Sequence, residues 1–291
     1  MDIDVHVDAI LPTEMAEKAE AAGVRKAGLA FWPLLALSIL AGAFIGLGAM
    51  FATTTAAAAA SLPYGVARLL VGLVFCLGLI LVVVGGAELF TGNNLIVIAW
   101  ASRKISTRAL LRNWLIVYAG NFIGSLGTAG LVFLSKQYNA GGGAVGQAAL
   151  TIALGKVNLG FIQAVALGIL CNVLVCLAVW LTYGARSIAD KVLAIIFPIT
   201  AFVAAGFEHS IANMYFIPYA LLIKEFDPAF VTAKQVDLAN LTWGSFFYRN
   251  LLPVTIGNIL GGAILVAAMY WFIYLRKSGG TAAMETGARK A

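Results

Sequence analysis

Charge is scarce in this sequence: only 11% of its 291 residues are Asp, Glu, Lys or Arg. A soluble domain carries about 25%. A water-facing surface cannot be built from this mixture, and with 62% hydrophobic residues the bilayer becomes the solvent for most of the chain. Histidine is scarcer still, with only His6 and His209. The three cysteines, Cys76, Cys171 and Cys176, all sit in apolar runs and form no CxxC pair. These shortages argue against a disulfide framework and a His/Cys metal site. No phosphate-binding loop and no nucleophile–base spacing is present, so no enzyme, cofactor or metal is expected. The opening MDIDVHVDAILPTEM lacks a basic segment and is not expected to be a cleavable signal. In this setting the net charge of +6 reads as a topology signal and not as a nucleic-acid footprint.

Long uncharged runs are what the chain does have. Residues near 30–52, 113–135, 157–185 and 250–275 are each long enough to cross the hydrocarbon, which takes about 20 residues. Two further runs, starting at 69 and 192, are interrupted by GGAELFTGNNL and AGFEHSIANM and resume at 95–101 and 215–223. Both interruptions contain glycine, and both contain Glu-x-x-x-x-Asn: Glu88 with Asn93, and Glu208 with Asn213. A second echo is N-x-L-x-V-x-x-G-N-x-x-G, which opens at Asn113 and again at Asn250. Six spans therefore form two copies of a three-span unit. An odd number of spans per copy requires opposite insertion, with the second and fifth helices broken at equivalent places.

The expected organisation is an all-α membrane protein. An amphipathic N-terminal helix covers 1–27, starting at Pro12 and stopping at Gly23. The six-helix pore region covers 28–277, with repeats near 28–138 and 155–277. A flexible tail covers 278–291. The AGGGAVGQ stretch (140–147) reads as a flexible loop. Arg68, Lys136, Lys156, Lys224, Lys234 and Arg249 fall on one side of this topology and every other Lys and Arg on the other. By the positive-inside rule, both termini are expected to be cytoplasmic. Glycine pairs Gly42/Gly46, Gly120/Gly124 and Gly257/Gly261 permit close helix contact.

Broken helices inside a membrane imply a lined cavity, and ionisable residues there are functional candidates. His209 is the sharpest, as a neutral imidazole that binds a passing anion or gives it a proton. Thr91 is placed to reach it across the pseudo-symmetry axis. Glu88 and Glu208 are expected to accept hydrogen bonds from backbone groups freed at the breaks. Thr91, Asn93, Ser210 and Asn213 suit helix capping. Lys156, at the start of the fourth span, would attract anions, and Asn172 would donate a hydrogen bond into the pore. Phe75, Leu79, Leu89, Phe90 and Phe202 would form dry constrictions.

The stretches Gly86–Asn93, Gly206–Met214 and Pro253–Ile259 resemble the formate/nitrite transporter family, and its bacterial formate channels most closely. The similarity runs from Leu11-Pro12 to Tyr274-Leu275-Arg276 and includes LCNVLVCLAVW (170–180) and RSIADK (186–191). The resemblance implies an aquaporin-like six-helix protomer in a homopentamer, with one pore per protomer, in the inner (cytoplasmic) membrane. It assigns Thr91 to the loop breaking the second helix, His209 to the break in the fifth, and Lys156 to a vestibule. The implied cargo is formate and related monovalent weak-acid anions: nitrite, hydrosulfide and acetate. Phe90-Thr-Gly-Asn-Asn departs from the Phe-Thr-Ser-x-Val of formate channels, so nitrite and hydrosulfide stay open. An aquaporin-like neutral-solute pore is the rival, but neither break contains Asn-Pro-Ala.

Overall fold

The computed structural model describes residues 10–276. The expected tail from 278, the leader histidine His6, and Lys277, Arg289 and Lys290 lie outside them. No strand occurs among the described residues. The helices are α1 (Pro12–Ala27), α2 (Phe31–Ala58), α3 (Tyr64–Gly85), α4 (Val97–Ala101), α5 (Thr107–Leu134), α6 (Ala144–Val157), α7 (Phe161–Gly184), α8 (Ile188–Ala204), α9 (Ser210–Phe226) and α10 (Pro228–Lys234). A last long helix, α11 (Ser245–Tyr274), winds through two π-helical stretches. Five of these, α2, α3, α5, α7 and α11, are uninterrupted, apolar and long enough to cross a membrane. The remaining crossing is split between α8 and α9.

The two repeats are visible element by element. A short helix (α1 or α6) leads into a long one (α2 or α7). A helix then stops at a break (α3 or α8), a second piece resumes (α4 or α9), and a long helix closes the unit (α5 or α11). Both breaks begin at a glycine in the left-handed region, Gly86 at φ 81° and Gly206 at φ 77°. L side chains avoid this conformation, so the glycines end α3 and α8 at the same relative point.

Close approach of the long helices explains another pair of glycines. On α5, a Cβ at Gly124 would collide with the carbonyl of Ile39 on α2; on α11, a Cβ at Gly261 would collide with that of Ile169 on α7. Small residues let backbones touch where lipid offers no hydrophobic drive for association.

Three boundaries differ from expectation. Helix α1 runs on to Ala27, because Gly23 serves contact and not termination: a Cβ there would press on Ala99 of α4. Only 140–143 is a turn, its three glycines all at positive φ, and Ala144–Gln147 already belongs to α6. Lys156 consequently sits in the last turn of α6 and does not start the membrane-crossing α7.

Candidate functional site

Each break is held by the same set of polar side chains. At the first, Lys26 Nζ lies 2.6 Å from Glu88 Oε1 and Asn93 Nδ2 donates to Glu88 Oε2 at 2.7 Å. Asn93 also donates to Asn113 Oδ1, and Asn113 donates to the Lys26 carbonyl. At the second, Lys156 Nζ lies 2.8 Å from Glu208 Oε1 and Asn213 Nδ2 donates to Glu208 Oε2 at 2.7 Å. Asn213 donates to Asn250 Oδ1, and Asn250 to the Lys156 carbonyl. A buried carboxylate survives only when paired and hydrogen-bonded, and these two are. The glutamates thus hold side chains, where backbone N–H groups were the expected partners.

The freed backbone groups are met by Asn121 and Asn258, the second asparagines of the repeated motif. Asn121 accepts from Phe90 N and donates to the carbonyls of Ser38 and Glu88. Asn258 accepts from Ser210 N and donates to those of Gly168 and Glu208. One amide per break therefore bridges the interrupted backbone to the neighbouring long helix. Asn93 and Asn213 are spent on the glutamates and cap no helix. Neither Thr91 nor Ser210 caps one by its side chain: the cap of α9 is His209, whose Nδ1 accepts from Ala212 N at 3.1 Å.

That bond assigns the tautomer of the neutral ring. With Nδ1 accepting, the proton sits on Nε2, which lies 3.0 Å from Thr91 Oγ1. Thr91 and His209 thus meet across the pseudo-symmetry axis. The Thr91 carbonyl is fixed in turn by Asn172 Nδ2 at 3.3 Å, and Asn172 also donates to the Asn258 carbonyl at 2.6 Å. Asn172 is fully buried and lines neither cavity, so it steadies the site where a pore donor was expected.

Two cavities reach toward this contact from opposite ends of α3. The larger, about 690 Å3, is lined by Leu79, Glu88, Leu89, Asn93 and the cations Lys18, Arg25, Lys26, Arg186 and Lys191. The smaller, about 310 Å3, is lined by Arg68, Phe75, Lys156, Phe202, Glu208, His209 and Phe216. The imidazole stacks on Phe202 with ring centres 5.9 Å apart, and Phe202 meets Phe75 edge-on. Leu79 and Leu89 thus stand on one side and Phe75 and Phe202 on the other. Phe90 is not among them. Its ring packs edge-on against Trp114 and Tyr118 because Asn121 holds its backbone toward α5.

Lys26, Asn113, Asn121, Asn250 and Asn258 carry structural weight that the sequence reading did not give them. The signal was present: Lys26-Ala-Gly-Leu-Ala-Phe31 and Lys156-Val-Asn-Leu-Gly-Phe161 share K-x-x-L-x-F. It extends the repeat back through α1 and α6, of which only α1 was expected as a helix.

Fold and site together define a multi-pass membrane protein of two inverted repeats, with a single histidine–threonine contact between two cavities. The profile described as Formate/nitrite transporter matches residues 13–272, and the chain belongs to that family. It is 46% identical over 282 residues to the formate channel FocA of Escherichia coli K12, covering 96% of this chain and 99% of that one. It is 40% identical over 269 residues to the formate channel FocA of Haemophilus influenzae, covering 91% and 95%. Among solved structures it resembles a pentameric formate channel with formate bound, with TM-score 0.80, 46% identity, and coverage of 84% of this chain and 98% of that one. An FNT family ion channel gives TM-score 0.75 at 30% identity, covering 90% and 99%.

Proposed function

We propose that this chain forms a homopentameric membrane channel for formate and related small monovalent weak-acid anions. The observation that carries the reading is the Thr91–His209 contact, a buried polar pair between two cavities with apolar residues on either side. The similarity to formate channels, one of them pentameric, supports both cargo and assembly. The larger cavity, with its excess of Lys and Arg, is assigned to the cytoplasmic face of the inner membrane, where both termini would lie.

In this reading the apolar collars strip water from an anion gathered in either cavity. A bare charge there is costly, and His209 Nε2–H, with the Thr91 hydroxyl, replaces lost hydration. A proton can move through the ring only if Nδ1 takes one up, which displaces the Ala212 N–H. Proton-linked passage therefore requires the α9 cap to loosen. Formate uptake into proteoliposomes across a pH series tests this with His209→Asn. Asparagine keeps a cap acceptor and an N–H donor but does not titrate. Flux retained with the wild-type pH dependence would remove the relay and leave the hydrogen-bond role. Flux retained with that dependence lost would place the relay on His209.

A further inference from the structure

The smaller cavity contains three charged groups, Arg68, Lys156 and Glu208. Lys156 and Glu208 neutralise each other at 2.8 Å, with side chains only 16% and 5% exposed. Lys26 and Glu88 make the same pair at the first break, so the Lys156 pair belongs to the shared scaffold. The uncompensated charge of the cavity is Arg68.

Arg68 stands in the first turns of α3 and reaches the other repeat. Its Nε donates to the Ala204 carbonyl at 2.9 Å and its Nη2 to the Val203 carbonyl. These carbonyls lie at the end of α8, that of Val203 also accepting from Gly206 N at 3.1 Å, where a cation opposes the negative end of the helix. Both acceptors are neutral, so the charge remains. Of five guanidinium N–H groups, two are used. The guanidinium lies over the second break, with Nη2 3.5 Å from where a Gly206 Cβ would stand. No repeat partner exists: Gly86 and Gly206 align the breaks, and Ile188 occupies the position matching Arg68.

We infer that Arg68, locked to the end of α8, is the carboxylate-recognising cation of the smaller cavity and a determinant of which anion enters. The inference rests on the anion-channel reading above. A planar fork fits a two-oxygen anion bidentately, whereas a one-atom anion such as hydrosulfide gains only its charge. Arg68 would therefore favour formate over hydrosulfide at entry, and Lys156 would act through Glu208 on the break.

The test is concentration-dependent uptake of formate and of hydrosulfide by the reconstituted full chain, as wild type, Arg68→Gln and Arg68→Lys. For formate, Arg68→Gln should raise the half-saturating concentration about fivefold at near-normal maximal flux. Hydrosulfide should change far less. Arg68→Lys retains the charge and should keep the ionic-strength dependence of entry while losing the preference for formate. It also serves as the readout if the glutamine variant fails to assemble. Lowered maximal flux at unchanged half-saturation, or equal losses for both anions, would reduce Arg68 to a helix-end cap and overturn the inference. Normal wild-type uptake with unchanged Arg68 variants would overturn it alone. No formate uptake by the wild type would overturn the channel reading as well.

Discussion

The two breaks differ far less in their supports than in their centres. Each has one lysine, one glutamate and three asparagines in the same bonding pattern, and each begins at a left-handed glycine. At the centre, one repeat places Leu89 where the other places His209. The edges differ too. Lys26 reaches Asn93 Oδ1 at 3.1 Å, whereas Asn213 Oδ1 is buried without a hydrogen-bond partner. Arg68 holds the end of α8, and among the described residues no arginine holds that of α3. What the repeats share keeps two broken helices stable in lipid. What they do not share is where selectivity and transport can reside.

The largest effect that can break this comparison is loss of a glutamate. Glu208→Ala leaves the largely but not fully buried Lys156 without its partner and should cost about 3 kcal/mol, the low end for breaking a buried pair. Glu88→Ala should cost a similar amount, read as thermal unfolding in detergent. A large loss for only one of them would show that the scaffold is not shared. Next come the bridging amides. Asn121→Ala and Asn258→Ala strand a buried backbone N–H apiece and should each destabilise by about 1–3 kcal/mol. Unequal values would sharpen the asymmetry to a particular break. Removing the His209 cap comes third. His209→Ala should cost about 1 kcal/mol of stability and His209→Asn little, because asparagine caps well. If alanine and asparagine melt alike, the Nδ1 cap is not stabilising α9. The smallest effect is outside the breaks. Lys104, more than half exposed, pairs with Glu20 of α1. Glu20 is buried at 8% exposure, so Lys104→Ala should cost up to about 1 kcal/mol, the upper end for an exposed pair, and a larger loss would make α1 docking electrostatic.

Much of this was legible in residues. The inverted repeat followed from two interruptions and one asparagine–glycine motif, because lipid tolerates broken helices only in defined settings. The Thr91–His209 meeting followed from the same symmetry. Partner choice was not legible. Glu88 and Glu208 bond to lysines far away in sequence, and only the folded arrangement shows that Lys156 is neutralised. The ring of Phe90 was misplaced because a one-residue rotation decides whether it meets a cavity or Tyr118. Arg68 read as one more basic residue of the smaller group. Its contact with Val203 and Ala204 joins opposite repeats, and no local pattern encodes that.

On the proposed reading, the break needs its scaffold and the channel needs its histidine. Formate uptake into proteoliposomes by His209→Leu beside the wild type, with assembly matched, tests it most directly. Leucine copies the first repeat and removes the only imidazole at either break. A folded protein is expected whose formate flux falls by about tenfold or more, equivalent to about 1.4 kcal/mol of barrier. Wild-type flux through the leucine variant would contradict it.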